Sequence, residues 1–129
     1  MKYSYSTTSF NRLITCHMDL QKIFFEVIKY MDVMILCGHR GKEEQDEAFE
    51  KKASKVKWPN SGHNSKPSLA VDVAPYPIDW LDEKRFYKMA ALAFEIAVDK
   101  EIYLNWGGNW AIMDVSNLHD CPHFYIKDR

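Results

Sequence analysis

A short apolar run that carries a single carboxylate limits how this chain can fold. Residues Leu69 to Ala74 read Leu-Ala-Val-Asp-Val-Ala, and Pro75 follows them. A run of this length and composition predicts a buried strand. Burial of Asp72 is unfavourable unless its carboxylate is paired, hydrogen-bonded or bound to a metal. The chain must therefore fold so that a compensating group reaches Asp72.

Helices and further strands are predicted around this run. Apolar residues at helical spacing predict helices over about residues 19–30 and 82–100. The charged stretch 42–53, with Ala48 and Phe49 apolar, predicts a third helix with one face in solvent. Short apolar or aromatic stretches predict strands at residues 33–37, 103–106, 109–113 and 123–126. Strands and helices do not alternate regularly, so we expect an α+β fold, with a small antiparallel sheet packed with helices. One domain is expected over residues 1–129.

The ends of these elements have their own local signals. Ser9 is predicted to cap a short opening helix, and Asp82 is predicted to cap the last helix. Pro75 is predicted to stop the strand that contains Asp72. Residues 54–68 form a long loop that is rich in Ser, Asn, Pro and Gly. Long ordered loops are uncommon and often functional, so this loop is a candidate for part of a site.

Charge and cysteine content argue against several classes of protein. The formal net charge is -1, which argues against nucleic acid as the main partner because phosphate binding requires a basic surplus. Three cysteines without a CxxC pair indicate neither a disulfide framework nor a cysteine-rich zinc site. The N-terminal residues lack the apolar stretch of a signal peptide, and no run is long enough to cross a membrane. We therefore expect synthesis in the cytoplasm and no membrane insertion.

Histidines and acids from separate segments are candidates for a metal site. Zinc enzymes commonly use three His, Asp or Glu ligands and leave one position for water. The helical HExxH motif is absent, so ligands would have to come from distant parts of the chain. His63 and Asp72 form one candidate pair, and the segment around Asp120 and His123 offers the remainder. Taken singly, His63 is better explained as a solvated loop histidine than as a ligand, and Asp72 is equally compatible with an ion pair.

Three segments together resemble the M15 family of zinc D,D- and L,D-peptidases. Ser61–His63 followed by Ala70–Asp72 is similar to the SxHxxGxAxD signature of that family. Asp120–Phe124 resembles its second signature, in which an acidic residue precedes a ligand histidine by three positions. Gly38–Gln45 resembles the RxxxEQ stretch that precedes both. The order is the same over about residues 13–126, and the bacteriophage endolysin branch, the L-alanyl-D-glutamate peptidases, is the most similar.

The chain also departs from these signatures. Asp72 follows His63 two residues later than in the family, and the glycine of the signature has no clear counterpart. We expect the longer loop to absorb this difference before the strand begins. Asp120 stands where the dipeptidase branch has glutamate.

The resemblance implies a fold like that of zinc D-Ala-D-Ala peptidases and hedgehog domains, and it implies roles for particular residues. His63, Asp72 and His123 would bind Zn²⁺, and water would take the fourth position. Asp120 would be the general base. Arg40 would stabilise the oxyanion or a substrate carboxylate through its fork of donors.

Three alternatives for single residues stay open. Arg40 is also suited to a surface ion pair with Glu43 or Glu44. Ser61 is a candidate to support the substrate or a neighbouring ligand. Trp106, beside two glycines, is a candidate for the wall of a substrate groove, and a core position suits it equally well.

The function that the resemblance implies is zinc-dependent hydrolysis of the L-alanyl-D-glutamate bond in the peptidoglycan stem peptide. Such an endolysin would be a monomer that acts on the cell wall after its release from the host cytoplasm, without a separate wall-binding domain. A D-alanyl-D-alanine carboxypeptidase or dipeptidase with the same metal site is the alternative. A rival of another class is an inactive zinc-containing wall-binding or structural module. Asp120 and Arg40 argue against this inactive module, because a structural zinc site requires neither residue.

Overall fold

The computed structural model describes residues 2–109 and 120–127. Within these residues the α-helices are α1 (Thr7–Leu13), α2 (Met18–Val27), α3 (Lys42–Glu50) and α4 (Glu83–Asp99). The strands are β1 (Val33–Cys37), β2 (Ala70–Pro75), β3 (Asn105–Trp106) and β4 (His123–Tyr125). Short 3-10 helices cover Gly62–Asn64 and Gly107–Asn109. The predicted α+β class, with a small antiparallel sheet and helices, is confirmed.

The four strands form one sheet in the order β1-β2-β4-β3, and every neighbouring pair is antiparallel. In this register Asp72 lies opposite His123 on one side and opposite Cys37 on the other. The register between β1 and β2 shifts after Ile35, so Cys37 rather than Leu36 faces Asp72. Such bulges re-aim side chains beside functional sites. A row of three polar side chains therefore crosses the sheet.

The core lies on the sheet face opposite this row. Successive strand residues point to opposite faces, so Val71 and Val73, which are fully buried, point away from the face of Asp72. Phe124 follows His123 and points into the same core, where its ring lies 5.1 Å from that of Phe24 on α2. Leu20, Ile23, Phe24 and Val27 form the buried stripe of α2, at the spacing that turns one helical face inward.

Several predicted boundaries need correction. Ser6, not Ser9, caps α1 by accepting a hydrogen bond from the Ser9 amide, while the buried Ser9 hydroxyl accepts from the Ile35 amide at 3.0 Å. Pro75 was predicted to follow the end of this strand, but it is the last residue of β2 and lies opposite Val33. A proline is tolerated at such an end because a missing donor matters least there. Asp82 is the N-cap of α4, although its side chain makes no capping bond.

Two further predicted segments differ from the structure. Helix α3 ends at Glu50 instead of about Ala53, because Lys52 adopts a left-handed backbone with φ of 62° and turns the chain out of the helix. Asn109 belongs to a 3-10 helix and not to a strand, and residues 110–113 of that predicted strand lie outside the described residues. Among the helices described, none has the length and apolar character needed to cross a membrane.

Candidate active site

His63 is fixed at the bottom of a cleft by the 3-10 helix that carries it. The Ser61 hydroxyl caps this helix by accepting a hydrogen bond from the His63 amide at 3.2 Å. His63 is 2% exposed, and its Nδ1 lies 2.7 Å from the carbonyl oxygen of Gly38. A side chain at Gly38 would collide with the carbonyl of Arg12, so only glycine lets this backbone pack so closely against α1. The Nε2 atom is thereby directed at Asp72.

One carboxylate oxygen of Asp72 contacts the imidazoles of both His63 and His123. His63 Nε2 lies 3.2 Å from Asp72 Oδ1, and His123 Nδ1 lies 3.0 Å from the same atom. Burial by itself would raise the pKa of the Asp72 carboxyl. Hydrogen bonds and charge from His123 and His63 outweigh it and hold the pKa well below its usual range. The carboxylate is therefore ionised, and it is compensated by histidines, as its place in an apolar strand requires.

The contact between His63 and Asp72 requires a positive species between them. A carbonyl oxygen only accepts, so Nδ1 of His63 must donate to Gly38. In a neutral imidazole Nε2 then carries a lone pair, and at 3.2 Å that lone pair would face an acceptor oxygen of Asp72. Either a second proton or a metal ion satisfies both atoms. Burial lowers the pKa of His63, yet Asp72 and Cys37 together raise it to about 10.

This donor set fits a divalent metal ion. An imidazole whose Nδ1–H is held by a backbone carbonyl is the usual arrangement of a metal-binding histidine, because it fixes the tautomer and aims Nε2. The rings of His63 and His123 lie 5.3 Å apart, with Asp72 between them. Two imidazoles and a carboxylate are also a common zinc ligand set. The three residues predicted as ligands are thus brought together from a loop, β2 and β4.

Cys37 is a neighbour that the sequence analysis did not anticipate. Ligand atoms of Cys37, His63 and Asp72 all lie within 4.8 Å of one another. The thiol reaches this position because the bulge in β1 places Cys37 opposite Asp72. Sequence alone predicted both strands but contained no signal for the register between them. Thiolates are good zinc ligands, so Cys37 is an alternative to His123 as the third residue that could hold a metal ion.

Arg40 lies beside the carboxylate, and a buried glutamine holds its position. Its guanidinium donates to Gln45 Oε1 at 3.0 Å, and another of its nitrogens lies 3.9 Å from Asp72 Oδ2. Gln45 is fully buried, and its Oε1 also accepts from the side-chain Nδ2 of Asn64 at 3.1 Å. The structure therefore does not support the alternative ion pair of Arg40 with Glu43 or Glu44, since Glu44 instead accepts from the Gly41 amide.

Asp120 completes the charged lining of the cleft. The cleft has a volume of about 570 Å³, and its wall includes Arg40, His63, Asp72, Asp120 and His123. Burial raises the pKa of the Asp120 carboxyl, and the negative charge of Asp72 raises it further, against the opposing effect of His123, His63 and Arg40. A carboxylate with a raised pKa accepts a proton more readily near neutral pH, which is the property that a general base needs.

The two residues predicted to contact substrate lie in different surroundings. Ser61 lines the cleft, although its hydroxyl is already engaged with the His63 amide. Trp106 is 7% exposed, donates from Nε1 to the Cys121 carbonyl at 2.6 Å and stacks on Phe124. Trp106 is not among the described residues that line the cleft, so the core alternative is the one that the structure supports. His119 lies outside the described residues.

The longer loop between His63 and Asp72 is absorbed before β2, as expected. The Leu69 amide returns to the Gly62 carbonyl at 3.0 Å and closes the loop, while Lys66 and Pro67 are exposed at its tip. Ser68 stands two residues before Ala70, where the signature has glycine. Its buried hydroxyl lies 2.6 Å from the Ala70 carbonyl and 3.3 Å from the Gly38 carbonyl. The inserted residues thus leave both predicted ligands in contact.

Comparisons with known proteins agree with this geometry. The family model described as phage L-alanyl-D-glutamate peptidase matches residues 1–125. A crystal structure of the L-Ala D-Glu endopeptidase ChiX of Serratia marcescens is similar in fold, with a TM-score of 0.79 and 24% sequence identity. That similarity covers 98% of this chain and 92% of the other. No curated protein matches this chain.

Proposed function

Because the chain belongs to the phage L-alanyl-D-glutamate peptidase family, we propose that its cleft is a zinc-dependent active site. The protein is a peptidoglycan hydrolase that cleaves the L-alanyl-D-glutamate bond. The observation that carries the proposal of a metal is the contact of His63 Nε2 with Asp72 Oδ1 at 3.2 Å, which requires a positive species between them. The similar fold of an enzyme named as an L-Ala D-Glu endopeptidase supports the choice of bond.

His63, Asp72 and His123 are the proposed holders of the metal. A zinc ion bound there would lower the pKa of water and polarise the scissile carbonyl. Gly38 keeps the His63 ring in the tautomer that presents Nε2, through the 2.7 Å contact with Nδ1. The ion would take the place of the proton that His63 otherwise shares with Asp72.

Asp120 and Arg40 are proposed to act on the reacting groups. Asp120 takes a proton from the attacking water and returns it to the leaving amine of D-glutamate. Arg40 presents its guanidinium to the oxygen on which negative charge develops, and Gln45 holds that guanidinium at 3.0 Å. A positioned cation stabilises this charge without reorganisation during the reaction. A wall-binding module without activity would need neither residue.

The bond assignment is tested by digestion of purified peptidoglycan with the zinc-supplemented protein. Mass analysis of the products is expected to find new amino-terminal D-glutamate. Release of D-alanine instead would identify a D-alanyl-D-alanine carboxypeptidase. Absence of any product, together with retained binding to the wall, would identify an inactive binding module.

The ligand set is tested with cobalt in place of zinc. Thiolate coordination produces a sulfur-to-cobalt charge-transfer band, whereas nitrogen and oxygen ligands do not. With His63, Asp72 and His123 as ligands, the cobalt protein is expected to lack this band, and Cys37→Ser should leave its spectrum and metal content unchanged. A band that disappears in Cys37→Ser would make Cys37 a ligand and remove His123 or another residue from the set.

The substrate is the peptidoglycan stem peptide of the cell wall, which follows from the family. We propose that the protein works as a monomer after release from the host cytoplasm. Light scattering at working concentration is expected to give the mass of one 15.2 kDa chain. A dimer that survives dilution would contradict this expectation.

A further inference from the structure

We propose that Lys52 and Lys55 form a carboxylate-binding rim of the cleft, which recognises the free carboxylate of the D-glutamate residue in the substrate. This inference rests on the proposed function, because it takes the L-alanyl-D-glutamate bond as the bond that is cut. The amine of D-glutamate lies in that bond, and one of its two carboxyl groups leads on into the stem peptide. The other carboxyl group is a free anion next to the scissile bond, and the cleft must accommodate it.

The charged catalytic groups already have other partners or other roles. Asp72 and Asp120 both line the cleft and carry negative charge when ionised. Arg40 already lies 3.9 Å from Asp72 Oδ2 and donates to Gln45. A substrate carboxylate therefore needs a cation elsewhere on the wall. Lys52 and Lys55 line the same cleft and are the remaining lysines or arginines in its described lining.

The lysines of residues 51–57 divide into two pairs. Lys51 forms an ion pair with Glu47 one helical turn earlier, and the Lys57 ammonium lies 5.1 Å from the centre of the Phe49 ring. Neither of these lysines is among the cleft-lining residues. Lys52 and Lys55 line the cleft, and no ion pair with an acidic residue is found for either within residues 2–109 and 120–127. Their ammonium groups are thus available to a ligand.

The backbone that carries the rim is held firmly in place. The Ala53 and Ser54 amides both donate to the Ala48 carbonyl, at 2.8 and 3.0 Å. The side-chain Nε2 of Gln45 donates to the Ser54 hydroxyl at 2.9 Å and to the Val56 carbonyl at 2.8 Å. Gln45 therefore fixes the rim segment and Arg40 together. A rim attached in this way binds an anion with little loss of backbone freedom.

Lys52 stands where a glycine would be less strained. Its φ of 62° lies in the left-handed region, which non-glycine residues seldom adopt and which glycine adopts freely. The turn at this residue ends α3 and directs the following segment along the cleft. A strained residue at the edge of a site is consistent with a side chain that contributes to binding.

The test compares two synthetic stem peptides in steady-state kinetics with the zinc-supplemented protein. One peptide has a free D-glutamate carboxylate and an amidated C-terminus, and the other has an amidated D-glutamate and a free C-terminus. The double variant Lys52→Gln/Lys55→Gln is expected to lose about tenfold in kcat/KM on the first peptide, mainly through KM. Its kcat/KM on the second peptide should stay unchanged. Added salt should reduce the preference of the parent for the first peptide.

The matched control is Lys51→Gln/Lys57→Gln, which removes the same charge from the same segment but outside the cleft. This control is expected to cleave both peptides like the parent. An equal loss on both peptides in the rim variant, or a loss on the second peptide only, would overturn the proposal. If the parent cleaves neither peptide, the proposed function itself fails and the inference falls with it. Normal cleavage by the rim variant would overturn the inference alone.

Discussion

Asp120 is the side chain whose role is most easily separated from metal binding. It lines the cleft beside the metal-binding residues, and burial raises its pKa. Asp120→Asn keeps the size of the side chain but removes its ability to accept a proton. We expect this variant to bind zinc like the parent and to lose about 10² to 10⁴ in turnover.

Metal content and turnover are measured on the same preparation. Asp46→Asn is the matched control, because Asp46 pairs with the exposed Lys42 on α3 and lies outside the cleft lining. Loss of zinc from Asp120→Asn would make Asp120 a ligand, and near-normal turnover would assign the base to another residue.

Arg40 makes two contacts at once, and a lysine in its place would make them less well. Its guanidinium reaches Gln45 and Asp72 at the same time, which a single ammonium group does less well. We expect Arg40→Ala to retain zinc and to lose about 10² to 10³ in turnover, the size associated with one oxyanion donor. Arg40→Lys should fall between the two. Arg85→Ala, at a residue that does not line the cleft, should behave like the parent.

Among the elements, α3 contacts the site mainly through one buried side chain. Gln45 donates to Ser54 and Val56 and accepts from Arg40 and Asn64, so it joins the helix, the rim and the loop of His63. Gln45→Ala would leave several of these partners unsatisfied, which costs about 2 kcal/mol of unfolding free energy and about 8 °C in Tm. Gln21→Ala, at a partly exposed glutamine, should cost less than half as much. Thermal denaturation measures both, and equal losses would contradict the special position of Gln45.

The boundaries of elements show what the sequence could predict. The apolar run around Asp72 and the pattern of Val33–Cys37 specified two strands, and both were found with nearly the predicted bounds. The bulge that brings Cys37 beside Asp72 could not be predicted, because register depends on contacts between distant segments. The early end of α3 was also missed, because nothing in the local sequence indicates that Lys52 adopts a left-handed backbone conformation. The family motifs predicted which residues meet in the cleft, but the sequence left open whether Trp106 lines a groove or packs in the core.

For the whole molecule, metal binding is linked to stability through His63. A ligand that binds only the folded protein adds about 2.7 kcal/mol to the free energy of unfolding when its free concentration is about 100 times its Kd. A proton competes with zinc for His63 Nε2, and the pKa of this histidine is raised to about 10. Below that pKa the apparent zinc affinity should therefore fall about tenfold for each unit of decreasing pH.

The stability of chelator-treated protein should change in the opposite direction. A raised pKa in the folded state contributes stability that is fully present below the ordinary value of 6.5 and is lost as the pH rises through about 10. Between pH 6 and pH 8 the chelated protein thus loses part of this contribution, while the apparent zinc affinity of the folded protein rises. We expect the increase in Tm caused by a fixed concentration of free zinc to grow steadily across this range. Thermal denaturation in a zinc buffer measures it, with His17→Gln as a control because His17 caps α2 outside the cleft. A zinc-induced increase in Tm that is the same at pH 6 and pH 8 would show that His63 does not exchange its proton for the metal.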